Sequence, residues 1–361
     1  MRPLSNPPNP WAQSRIEWLG PPPSVETRVY LERARSLVVE NDSPDVPFRY
    51  SANAYRGCAH ACAYCYARPT HEYLGFGAGT DFDSRLVVKE NAAELLAAEL
   101  AAGRTQGAPL VLSGITDPYQ PLEASFGLTR RLLEVCLDAR QPLTILTKGA
   151  LVRRDTELLG QLARGPGARV YLTLITLDED LARALEPGAP TPSLRLRALA
   201  ELSAAGVPTG VSLSPLIPGL NDQEGPALLE AAAKAGAKRA FRTLLRLPGS
   251  VQAVFLERLR ARLPGRADKV LHALEEARGG RLGESRFHAR MVGSGPRYQA
   301  AEALYRLTAR RLGFELGEQA GPSLPPAQAP SRTRLGPGTG AGDAARPGPA
   351  SAPGQGLLFE T

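Results

Sequence analysis

The chain has 361 residues, 43% hydrophobic and 22% charged, with 43 Lys and Arg against 36 Asp and Glu for a formal charge of +7. That length can bury one large core plus extensions, and no apolar run approaches the ~20 residues of a membrane-spanning helix. The Pro-rich N-terminus lacks the apolar stretch of a secretory signal, so a reducing, cytoplasmic setting is expected, with four cysteines as thiols or metal ligands rather than disulfides.

Residues 1–50 read as an N-terminal extension with one short helix over "TRVYLERARSLV", residues 27–38. A strand-like "FRYSANAYRGC" then leads into "GCAHACAYCYARP", residues 57–69, which holds Cys58, Cys62 and Cys65. Structural zinc sites usually pair one CxxC with a second cysteine or histidine pair further along. Here only Cys136 and scattered histidines remain. Three thiolates from one loop suit a [4Fe–4S] cluster that leaves one iron open to an outside ligand, with zinc or incidental cysteines as the alternatives. Gly57 and the small Ala59, Ala61 and Ala63 let the backbone wrap closely around a cluster. Tyr64 stands just before the third cysteine, placed to lie over whatever the open iron holds. His60 and His71 flank the loop, either tuning a cluster or standing exposed.

Beyond the loop, amphipathic helices alternate with short apolar strands. "KENAAELLAAELAA" is helix, "PLVLSGI" strand, "GLTRRLLEVCLDA" helix, "PLTILTKG" strand and "DTELLGQLA" helix. "RVYLTLIT" is strand, "SLRLRALAELSAAG" helix, "TGVSLSPLI" strand, "GPALLEAAAKAG" helix and "RAFRTLLRL" strand. Counting the entry strand, this predicts six βα units, an α/β domain over 51–283 whose functional loops leave the C-terminal ends of parallel strands. Cys136 shares a helix face with Leu128, Leu132 and Leu133 and reads as core. Residues 284–319 read as a loop and a helix, and 320–361, dense in Pro, Gly, Ala and Ser, as a disordered tail.

The pattern CxxxCxx-aromatic-C resembles the radical S-adenosylmethionine (SAM) enzymes. That resemblance implies an incomplete (βα)6 barrel in which three thiolates hold three irons and SAM chelates the fourth. An electron from a donor such as flavodoxin or ferredoxin then cleaves SAM to methionine and a 5′-deoxyadenosyl radical, which takes a hydrogen from substrate. It also implies SAM contacts along the strand ends. These are Ser113, Thr116 and Asp117 in "LSGITDPYQPLE", Lys148 in "LTKG" at the SAM carboxylate, and Thr173 and Ser212 near the ribose and adenine, with Tyr64 beside them. Glu186 in "ALEPG" reads either as facing substrate or SAM or, preferentially, as an ordinary loop carboxylate.

The strings "NAYRGCAHACAYCYARPTHEYLG", "SGITDPYQPLE" and "MVGSGP", with the long run from "TLITLDED" to "LIPGLND", resemble the spore photoproduct lyase-related branch, over about residues 30 to 315. The lyase reverses a thymine dimer in DNA, with a nearby cysteine returning a hydrogen. No cysteine occurs in the "SGITD" turn, where that donor is expected, so the substrate is unassigned. The branch and the basic excess point to nucleic acid. A small molecule or a protein is the other substrate reading, and a non-catalytic iron–sulfur protein the third. At the C-terminus, Gln355, Leu358 and Phe359 in "GQGLLFET" resemble the bacterial sliding-clamp-binding pentapeptide, with a departure at Gly356.

Overall fold

The computed structural model describes residues 26–317. The Pro-rich start, the tail from residue 320 and its clamp-like motif lie outside the described residues.

Six parallel strands run in chain order across the main sheet: Tyr50–Ala52, Leu110–Leu112, Leu143–Thr147, Ala168–Thr173, Thr209–Ser212 and Arg239–Phe241. Val38–Glu40 adds antiparallel at one edge and Glu315–Leu316 parallel at the other. The two edge strands do not pair with each other, so the sheet is an open, incomplete barrel. This is the α/β architecture that the sequence predicts.

The connecting helices are Ala92–Ala101, Leu128–Asp138, Thr156–Arg164, Pro192–Ala204 and Gly225–Lys234. Each lies within a few residues of its predicted span. The strands read as continuous apolar runs because both faces are covered. Leu110, Leu143, Ile145, Val170 and Val211 are fully buried against helix residues such as Leu133, Leu159, Leu162 and Leu202. Cys136 is buried in this core as expected. Each such leucine contributes roughly 1.5–3 kcal/mol of hydrophobic stabilisation. Thr191 starts the helix after the fourth strand, its Oγ1 accepting from the Leu194 amide at 3.4 Å ahead of Pro192 at the first helical position.

Several elements differ from the sequence expectations. Residues 27–38 form no helix: Arg28–Glu32 is a strand, paired in parallel with Arg85–Lys89 in a small second sheet completed by Tyr55–Arg56. Pairing to the β-branched run "RLVVK" overrides the weak helical pattern. The following turn is pinned because the Glu99 carboxylate accepts the Leu37 and Val38 amides at 3.1 and 2.7 Å. After the sixth strand come two helices to which the sequence assigned nothing, Val251–Arg262 and Pro264–Ala277. The expected terminal helix follows at Pro296–Arg311. No described helix is long and apolar enough to cross a membrane.

Candidate active site

The loop carrying Cys58, Cys62 and Cys65 leaves the first parallel strand and is tied to the barrel through its backbone. Gly57 opens it at φ +73°, in the left-handed region where a side chain would also press on Leu86 and on the Phe82 carbonyl at 2.9 Å. Its carbonyl accepts from Thr116 Oγ1 at 2.5 Å and Gln120 Nε2 at 3.1 Å. Gln120 Oε1 in turn accepts the Ala59 amide at 3.0 Å. The Ala63 amide donates to the Leu185 carbonyl at 2.8 Å, and the Gly188 amide donates to the His60 carbonyl at 3.1 Å. A Cβ at Gly188 would sit 1.9 Å from the Ala59 carbonyl oxygen, so the segment after the fourth strand can lie this close only as glycine.

Cys58 and Cys62 are buried and Cys65 is half-buried. Burial raises all three thiol pKa values, Cys62 to about 12, and Cys58 is raised further by Asp117, Cys62 and Cys65. The three thiols therefore lie within reach of one another's charge. No three described His, Cys, Asp or Glu side chains are gathered tightly enough to hold a single metal ion. A four-iron cluster is larger than an ion and holds its thiolates further apart, and three free thiols on one glycine-opened loop fit it.

The expected SAM contacts are gathered at this end of the sheet, and several are already engaged within the protein. Asp117 accepts from the Tyr119 amide (2.9 Å), Thr147 Oγ1 (2.5 Å) and the Lys148 amide (2.7 Å), and faces His60 Nδ1 at 3.3 Å. Burial pushes its pKa up, but His60 and these donors outweigh it and hold the carboxyl at about 2. Asp117 thus joins the second and third strand ends to the cysteine loop. Lys148 stands over the Tyr64 ring at 5.5 Å and 3.8 Å from Glu186 Oε1. Burial alone would lower its pKa; Cys62 and Glu186 more than offset this and raise it. Ser113, Thr173 and Ser212 are buried at the ends of the second, fourth and fifth strands.

Glu186 lies among these residues. It is 1% exposed, receives the Tyr64 hydroxyl, and pairs with Arg195 at 2.5 Å, which also donates to the Thr173 carbonyl at 3.1 Å. Burial works to raise its pKa, but Arg195 and Lys148 keep it lowered and the group ionised. The sequence signal for it was position: a carboxylate in the loop after the fourth strand faces the functional end of a parallel barrel. Of the two readings open for His60 and His71, the exposed one does not hold: both are buried. His60 faces Asp117, and His71 Nε2 lies 2.7 Å from the Arg85 carbonyl with its ring against Phe76 and Phe82.

An open parallel α/β barrel with a thiol-bearing loop at the C-terminal ends of its strands defines the class. The chain belongs to the Radical SAM superfamily, whose family model matches residues 52–232. It is 41% identical over 213 residues to an uncharacterized protein of Mycobacterium tuberculosis, a match spanning 58% of this chain and 63% of that relative. It is 25% identical over 259 residues to the radical SAM Nalpha-GlyT isomerase of Pseudomonas phage M6, covering 71% of this chain and 50% of the isomerase. In fold it resembles spore photoproduct lyase complexed with dinucleoside spore photoproduct, with a TM-score of 0.57 at 17% identity over 80% of this chain and 81% of the lyase.

Proposed function

We propose that the protein is a radical SAM enzyme in which Cys58, Cys62 and Cys65 hold a [4Fe–4S] cluster and the strand-end residues hold SAM, acting on a nucleic acid. The observation that carries this is the set of three thiols on one loop whose backbone is fastened to the loops after the second and fourth strands. When bound, the cluster and SAM supply a one-electron cleavage that yields a 5′-deoxyadenosyl radical. The protein's own groups do the rest. Lys148 offers a cation to the SAM carboxylate, Glu186 and Tyr64 fix that lysine, and Asp117 with Thr116 holds the cysteine loop against the second and third strands. Ser113, Thr173 and Ser212 offer hydroxyls along the strand ends. A one-electron donor such as flavodoxin or ferredoxin completes the cycle, and the free cysteine thiols suit a reducing, cytoplasmic compartment.

The nucleic-acid substrate is supported by the concentration of positive charge beyond the fifth strand. Residues 239–317 hold sixteen Lys and Arg against seven Asp and Glu, more than the net charge of the whole chain. The lyase-like fold agrees with it. In this reading Gln355, Leu358 and Phe359 dock on the sliding clamp and bring the enzyme to DNA; a peptide of residues 350–361 should bind the clamp, and Phe359→Ala should abolish that binding. The test of the reaction is anaerobic incubation with SAM, dithionite and ultraviolet-damaged oligonucleotide. Formation of 5′-deoxyadenosine together with an altered nucleoside supports it. 5′-Deoxyadenosine without any nucleoside change moves the substrate to a small molecule or protein, and neither product refutes the radical reading.

A further inference from the structure

Arg68, Asp83 and Arg258 form a buried group against the backbone of the cysteine loop. Arg68 is 0% exposed and donates twice to the Cys62 carbonyl, at 3.1 and 2.7 Å, and to the Ala78 and Gly79 carbonyls at 2.9 and 2.8 Å. Arg258, 2% exposed and on the helix Val251–Arg262, donates to the Ala61 carbonyl at 2.9 Å. Both guanidiniums share the one carboxylate of Asp83, Arg68 at 2.7 Å and Arg258 in closer contact. Arg262, on the same helix, donates to the Ala184 carbonyl at 2.9 Å and also feels the Asp83 charge. Two guanidiniums thus pair with one carboxylate, and a third lies one turn further along the same helix. The other carboxylates near the loop each face a basic group, Asp117 the imidazole of His60 and Glu186 the side chains of Lys148 and Arg195.

We propose that this arginine excess raises the reduction potential of the cluster held by Cys58, Cys62 and Cys65, with Arg258 as a positioning residue that acts through charge. The inference rests on the cluster reading above. Taking up one electron makes a cluster one unit more negative, and fixed positive charge in a low-dielectric surrounding stabilises that state. Because the group is buried, solution ions screen it little.

The experiment is a redox titration of the anaerobically reconstituted full-length chain, read by electron paramagnetic resonance with iron content measured in parallel. Arg258→Met should leave about tenfold less reduced cluster at a fixed solution potential, about 59 mV lower for one electron. Asp83→Asn, which removes the carboxylate that Arg68 and Arg258 share, should shift the potential upward. Arg258→Lys should stay near wild type. Potentials of Arg258→Met and Asp83→Asn that are unchanged, or that move in the same direction, overturn the inference. So does loss of the cluster in Arg258→Met that Arg258→Lys does not restore, since that marks a packing role alone. A wild-type chain that takes up no iron overturns the cluster reading itself, and this inference with it.

Discussion

Asp117 shows how one carboxylate can serve several elements at once. It takes hydrogen bonds from the Tyr119 and Lys148 amides and from the Thr147 hydroxyl, and faces His60. With a folded pKa of about 2 against 3.8 in the ordinary case, it stabilises the fold above pH ~4, and that stabilisation is lost as pH falls toward 2. The full effect is about 2 kcal/mol. Urea unfolding of the apo protein at pH 5 and pH 3 should show this loss, and Asp117→Asn should show a shallower fall. Equal pH dependence in both proteins would contradict the assignment. At this scale the three cysteines were legible because their chemistry is contiguous in sequence. The partners of Glu186 were not, because Tyr64, Lys148 and Arg195 come from different elements, and a carboxylate whose partners are tertiary looks like any loop carboxylate. The burial of His60 and His71 was not legible for the same reason: a polar residue in a loop gives no sign of what covers it.

Among the elements, the six parallel strands were legible from their short apolar runs, and the helices between them from their spacing. The strand Arg28–Glu32 was not, because it exists through its pairing with Arg85–Lys89, a run far along the chain. That second strand also buries Lys89, whose pKa burial lowers to about 8, with the charge of Arg56 adding to the effect. Between pH 8 and ~10.5 the unfolded chain binds a proton at this lysine that the folded chain does not, so stability rises with pH across that window. Lys89→Met should remove this rise, which amounts to about 3 kcal/mol, and should leave the protein more stable at pH 7. Denaturant unfolding at pH 7 and pH 10 measures both. A variant less stable than wild type at pH 7 would show that the amine has a favourable partner. The helix Val251–Arg262 carried no motif to mark it, and its importance is positional: it delivers Arg258 and Arg262 to the cysteine loop and its neighbours.

For the whole molecule, charge is unevenly placed, with the basic excess gathered in residues 239–317 after the fifth strand. If this region follows a phosphate backbone, affinity for single-stranded oligonucleotide should fall linearly with the logarithm of salt concentration. Neutralising the exposed Arg281 should reduce that slope by about one contact while leaving SAM cleavage unchanged. A salt-independent affinity would argue for a different substrate.

The most direct measurement for the central claim is the iron and sulfide content of anaerobically reconstituted protein, with the spectrum of the reduced cluster recorded before and after SAM. The account predicts about four irons and four sulfides per chain. It also predicts a SAM-dependent change in the spectrum, loss of the cluster when Cys58, Cys62 or Cys65 is replaced by Ala, and full retention in Cys136→Ala. A cluster that survives loss of any of the three loop cysteines, or one lost in a folded Cys136→Ala variant, would contradict it.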